Sequence, residues 1–201
     1  AEMLSRFCRD CLGPRSVNVP FRLTRALSTH TPFSYCSKDA YPVGHNLAQL
    51  NIGRLKYPKD DGRVGEFFAA LDKVNAIADR SDGFVWRLKD EDGDATNLQI
   101  ETEDPSALST LSVWKSPESL IRYTFKTVHK VFFNRRSEWF APSQVDFVMW
   151  WIPEGEIPTL AEAKERLHLL RELGPSEGAF GWESLPEELK EEVTLARRNK
   201  I

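Results

Sequence analysis

Apolar positions between His45 and Pro153 follow two periods in turn, near 2 and near 3.6, in the order strand, helix, strand, strand, helix, strand. Residues 45–55 alternate. Leu47, Gln49 and Asn51 share one face of the predicted strand, and Ala48, Leu50 and Ile52 share the other. Pro58 and Asp60-Asp61-Gly62 then make a turn that supplies a helix N-cap. Phe67, Phe68, Leu71, Val74, Ile77 and Ala78 form a helical stripe, giving a helix near 63–81 that Asp82-Gly83 stops.

Strands follow at 84–89 and 108–114, joined by a polar stretch from Asp90 to Asp104. Ser116-Pro117-Glu118 starts a second helix, predicted to run over 117–140. Its residues Ile121, Phe125, Val128 and Phe132 fall within about 60° of one another at about 100° per residue. A fourth strand, 145–152, is rich in β-branched and aromatic residues. This split β-α-β order predicts an α+β, ferredoxin-like domain over 44–155. Its four-stranded antiparallel sheet carries two helices on one face. A helical extension, 156–201, follows: Thr159-x-x-Glu162 is a capping box and Gly174-Pro175 a stop. A last helix runs from Ser184 to about Lys200.

The first forty residues have a different composition. From Cys11 to Lys38 there are Arg15, Arg22, Arg25 and Lys38, many hydroxyl side chains and no carboxylate. Basic, hydroxyl-rich and acid-poor is the composition of an organellar transit peptide, and Arg25-Ala26-Leu27-Ser28 reads as a processing site. The expectation is a 1–40 arm that is transit-like or binds a partner, with a mitochondrial address and plastid or cytoplasm as alternatives. Lacking apolar periodicity, the arm takes any order from contact with the body or with another chain. Cys8-x2-Cys11 with His30 and Cys36 has zinc-type ligands, but the second half matches no strong zinc spacing, and no metal is expected.

His45-Asn-Leu-Ala-Gln-Leu-Asn-Ile-Gly-Arg54, Gly83-Phe-Val-Trp-Arg-Leu88, Leu111-Ser-Val-Trp114, Trp139-Phe140 and Met149-Trp-Trp-Ile-Pro153 occur in order, followed by Ile157-Pro-Thr. In these motifs the chain resembles the DUF3291 family over about 44–182, with the last helix outside the match. That family, of unknown function, resembles the antibiotic-biosynthesis-monooxygenase group of dimeric α/β barrels. The resemblance implies a ferredoxin-like body whose sheet pairs with that of a second copy, and no established activity.

The net charge of −3 at pH 7 argues against a nucleic-acid footprint. No apolar run approaches the ~20 residues of a membrane helix. All three cysteines, Cys8, Cys11 and Cys36, precede the body, so a disulfide scaffold is excluded. The loop from Asp90 to Glu101 imitates a calcium loop but has Ala95 where the turn needs glycine.

His129 leads the candidates for chemistry. It lies about 70° from the centre of the apolar stripe, where an edge histidine can face a cavity between helix and sheet and act as a neutral base. The competing reading is a histidine hydrogen-bonded within the structure. Asn51, with Gln49, is the second catalytic candidate, able to position an enolate and dioxygen as the related cofactor-free oxygenases do. Trp86, Trp114, Trp150 and Phe125 are candidate pocket walls, against the plainer reading as core or interface. Trp150 and Trp151 are adjacent and must leave opposite faces of the sheet.

Two functions are expected. One is an accessory subunit of an organellar, mitochondrial complex built on a monooxygenase-like body. The other is a cofactor-independent oxygenase or isomerase acting on a small hydrophobic or aromatic compound. The expected partners are other protein chains, as a homodimer or a larger assembly, with a small hydrophobic ligand for the second function. No cofactor, nucleic acid or transmembrane segment is expected.

Overall fold

The structure, a computed structural model, describes residues 33–89, 104–142 and 146–198. Strands β1 (His45–Arg54), β2 (Phe84–Arg87), β3 (Ala107–Trp114) and β4 (Phe147–Pro153) form one antiparallel sheet in the order β2-β3-β1-β4. The helices are α1 (Gly65–Asp79), α2 (Pro117–Lys126), α3 (His129–Trp139), α4 (Leu160–Leu173) and α5 (Glu187–Arg198). The α+β, ferredoxin-like architecture expected from the periodicity is the one observed.

Cross-strand register sorts the side chains onto two faces. On the first lie Leu47, Gln49, Asn51 and Gly53 with Trp114, Ser112, Thr110 and Leu108, and on β4 Trp151, Met149 and Phe147. On the second lie Ala48, Leu50 and Ile52 with Val113 and Leu111, and on β4 Trp150 and Val148. The first face is covered by two clusters. Ala78, Leu120, Ile121, Phe125, Leu189 and Val193 close over Leu47, Trp114 and Met149. At the other end Val64, Trp139, Phe67 and Phe132 close over Leu108. Phe140 leans there on Gly53, where a Cβ would sit 2.8 Å from its ring, so only glycine fits.

The second face is covered by α4. Ala163, Leu167 and Leu170 pack against Ala48, Leu50, Val148, Trp150 and Ile152, and Trp150 Nε1 donates to Glu162 Oε1 at 3.0 Å. Thr159 caps this helix by accepting from Glu162 N at 3.1 Å, and Gly174 ends it at φ +79°. This is the face that the resemblance expects to pair with a second copy, and the chain's own helix lies on it. From α4 the chain turns round the β4 edge, where Phe180 and Met149 exchange backbone hydrogen bonds of 2.7 and 2.9 Å. It then delivers α5 to the first face. Residues 156–198 are therefore part of the packed body rather than an appendage to it.

Three expectations are corrected. The second helix does not run unbroken over 117–140. Thr127 is extended (φ −118°, ψ −175°), and its Oγ1 donates to Tyr123 O and accepts from His129 N, ending α2 and starting α3. Asp61 does not cap α1. It closes a local turn on Arg63 N at 2.9 Å, and α1 begins after Val64 with no side-chain cap. The arm boundary at 40 falls too late. Tyr35 is buried, its N donates to Ser184 O at 2.8 Å, and Trp151 Nε1 donates to its hydroxyl at 2.8 Å. Phe33, Tyr41 and Phe180 pack edge-on around it. Residues 1–32, with Cys8, Cys11, His30 and the Arg25–Ser28 site, and the loop from Asp90 to Glu101 lie outside the described residues.

A polar clamp fixes α4 to the sheet: buried Asp146, just before β4, accepts from Arg54 Nη1 with one oxygen and from Arg171 Nη2 with the other. Asp146→Ala removes the shared anion of two partly hydrated guanidiniums, of which Arg54 keeps Asp104, and is expected to lower stability by about 1–3 kcal/mol. Leu167→Ala, which opens a cavity under α4, is expected to cost about 2–5 kcal/mol in the same urea titration. A chain lacking residues 1–32 sets the reference urea midpoint. Removing 1–41, which also takes Tyr35, should lower it. Equal midpoints for the two truncations would show that the Tyr35 strap carries no stability.

Candidate functional site

Most of β1 and β3 is buried, yet each strand has one exposed residue, and the two are register partners: Asn51 and Thr110. Both lie on the helix-covered first face. Side chains at the centre of a covered sheet reach water only through a gap in the covering layer. The gap falls between the cluster over Leu47 and Trp114 and the cluster over Gly53 and Leu108. Helix α1 helps to make it. Its Leu71, Val74 and Ile77 are half-buried and join none of the packed clusters.

Helix α3 spans the gap. Phe132 packs into the cluster on one side and Phe133 into the cluster on the other. On a wheel of about 100° per residue, His129 and Arg136 fall between these two phenylalanines, so the pair is carried on the side of α3 that bridges the opening. The β4 side is aromatic: Phe147, the partner of Asn51, stacks on Trp182 with centroids 4.8 Å apart and planes 7° apart. Phe125 links Trp182 (6.1 Å) to Phe133 (5.2 Å). Behind Asn51, Gln49 Nε2 and Trp114 Nε1 both donate to Ser112 Oγ, at 2.7 and 2.9 Å.

His129 Nδ1 lies 3.1 Å from Thr124 O. A carbonyl only accepts, so Nδ1 carries the proton and Nε2 is the acceptor of the neutral ring. Burial pushes the imidazole pKa below its ordinary value, opposed by the bond to the carbonyl, so the ring is neutral at physiological pH. It rests on Tyr123 at 4.8 Å, and Tyr123 stacks on Trp114 at 5.0 Å. Burial raises the Tyr123 pKa, so its hydroxyl stays protonated.

The sheet divides the residues expected to share a pocket. Asn51, Trp114, Phe125 and His129 are on the first face. Trp86 and Trp150 are on the second, in the cluster under α4. Trp86 is there because β2 shifts register between Phe84 and Trp86, with Val85 as the extra residue. Trp114 and Phe125 are core side chains at 1% and 4% exposure, so they back the site rather than face solvent in it. Thr110, Tyr123, Arg136 and Trp182 were not expected. The usable signal was the seven-residue spacing of His129 and Arg136, which places them on one side of a helix. A separate cleft of about 570 Å³ lies between Leu55–Lys59 and Pro105–Ser106 and includes none of the expected site residues. Among the described residues no group of His, Cys, Asp or Glu is placed to hold a metal ion, and no helix is long and apolar enough to cross a membrane.

The fold defines a ferredoxin-like α+β protein with helices on both faces of its sheet. The chain belongs to the DUF3291 family, a domain of unknown function, matched over residues 46–195. That span takes in most of α5, so the last helix is part of the family's domain. No curated protein matches the sequence. Among solved structures, a protein of unknown function from Nitrosomonas europaea, NE2512, is similar at 10% identity and a TM-score of 0.37. The similarity covers 58% of this chain and 97% of that one.

His129 gives a pH signature. A depressed folded pKa means that the unfolded chain binds a proton that the native state refuses, so stability falls as pH drops below about 6.5, towards the folded pKa. The slope from this one group is at most about 1.4 kcal/mol per pH unit. His129→Gln should flatten the stability profile between pH 6.5 and 5 relative to wild type. Parallel profiles would mean that the imidazole titrates as it does in the unfolded chain.

Proposed function

We propose that the chain binds a small, largely apolar molecule over Asn51 and Thr110. The observation that carries this reading is the exposure of these two partners at the centre of a covered sheet. The ligand's apolar body rests among Phe133, Phe147 and Trp182, and a hydrogen-bonding group meets the Asn51 amide. Catalysis, on this reading, is cofactor-independent oxygenation or isomerisation, the monooxygenase-like chemistry of the resembling group. His129 Nε2 serves as the base, supported by a ring that is neutral and held by Thr124 O.

A second reading is an accessory subunit of an organellar, mitochondrial complex. It is supported by the basic, acid-poor composition of the first forty residues and by the strap Phe33–Tyr41, which fixes the end of that stretch to the body. Recovery of tagged full-length protein from mitochondria in a stable complex of fixed mass would favour it.

2-Naphthamide, a neutral aromatic with one hydrogen-bonding group, should quench the tryptophan fluorescence saturably. Asn51→Leu should weaken its binding about fivefold to tenfold, the value of one neutral hydrogen bond. Absence of saturable binding to the wild type would sink the ligand-binding reading.

A further inference from the structure

We infer that α3 carries a second binding site, independent of the opening over Asn51, in which Lys130 and Asn134 hold the carboxylate of a small organic acid.

Among the described residues two charged side chains are buried, Lys130 at 8% exposure and Asp146 at 7%. Asp146 has a guanidinium on each oxygen. Lys130 has no such counterpart: among the described residues its Nζ meets no carboxylate and no hydrogen-bond acceptor. Lysine is almost never buried unless it is paired, because an ammonium taken out of water without a partner is costly. One turn further along α3, Asn134 Nδ2 is buried and also lacks an acceptor.

At about 100° per residue, Lys130 and Asn134 leave α3 about 40° apart, and helical neighbours of this spacing have Cβ atoms about 5–6 Å apart. Two donors without acceptors thus lie on one side of the helix, on successive turns. The positions that flank them on the wheel, Ser137 and Val131, are exposed, so the recess that takes the lysine stem opens to water at its rim. Phe133, about 60° round from Lys130, packs on Phe125 of α2 with centroids 5.2 Å apart, in the cluster that α5 also joins. A carboxylate completes this arrangement. It brings one negative charge to one ammonium, and its two oxygens accept from the ammonium and from the amide. A phosphate dianion would leave a net negative charge beside the apolar cluster, and a neutral carbonyl would leave the ammonium uncompensated.

The test follows the Asn134 side-chain amide by heteronuclear NMR on the full chain at pH 7.5, its signal identified by its loss in Asn134→Leu. Acetate is expected to shift this signal saturably, and chloride at equal ionic strength to leave it unmoved. Inorganic phosphate should bind more weakly than acetate. Lys130→Met keeps the apolar stem and should weaken acetate binding at least tenfold, the value of a charge-assisted hydrogen bond. Because it removes an uncompensated amine, this variant should melt no lower than the wild type in chloride. An amide signal that acetate does not saturate, or a Lys130→Met chain that binds acetate as the wild type does, would overturn the site. So would a Lys130→Met chain that melts well below the wild type, since the amine would then already have its partner within the protein. Phosphate binding more tightly than acetate would overturn the carboxylate assignment.

Discussion

The central strand β1 is buried on both faces. Five consecutive residues, Asn46 to Leu50, are covered, although they alternate between opposite sides of the sheet. An antiparallel sheet commonly keeps one face in water. Here that option is closed, because Ala48, Leu50, Val148 and Trp150 on one side are as apolar as Leu47, Trp114 and Met149 on the other. The remainder of the chain is arranged to meet this demand. Helices α1 to α3 cover one side, α4 covers the other, and the turn at Phe180 carries the chain round the β4 edge so that α5 can finish the first. The Asp146 clamp, reaching Arg54 on β1 and Arg171 on α4, ties the two layers together. Against such thorough cover, the exposed pair Asn51 and Thr110 stands out as a place where burial was not completed.

Polar groups within the covered face are spent on one another. Ser112 Oγ accepts from both Gln49 and Trp114, and His129 Nδ1 donates to Thr124 O. In each case the nitrogen keeps its proton and donates a hydrogen bond, which meets the requirement that buried donors find acceptors. These bonds also fix the orientation of each ring and amide before any ligand arrives, which is the useful property in a binding site. The break at Thr127 belongs to the same arrangement. An unbroken helix over 117–140 would keep the Thr124 carbonyl in its own ladder and hold residue 129 in continuous helical register with α2. By ending α2, Thr127 presents that carbonyl to the imidazole and lets α3 bridge the gap at its own angle.

Much of the fold was legible because strand and helix periods are local. The alternation around Leu47–Ile52, the stripe from Phe67 to Ala78 and the caps at Ser116, Thr159 and Gly174 all correspond to observed elements. What was not legible depended on distant parts of the chain or on one residue's choice. Thr127 interrupts a stripe that continues on both sides of it, so the period hides the break. Val85 adds a residue to β2, and one extra residue sends Trp86 to the opposite face from the one that simple alternation from Phe84 implies. Asn51 was named from its place on a strand, but its exposure follows from how α1 and α3 sit, which no local pattern records.

The Tyr35 strap has a bearing on the order of events during synthesis. Its binding surface is made by Trp151, Phe180 and the Ser184 carbonyl, all more than a hundred residues further along the chain. Ribosomes make the N-terminus first. Until residue 184 has emerged, Phe33 to Tyr41 lack the surface on which they dock. The strap is thus among the last contacts of the body to close, after β4 and α4 have been made.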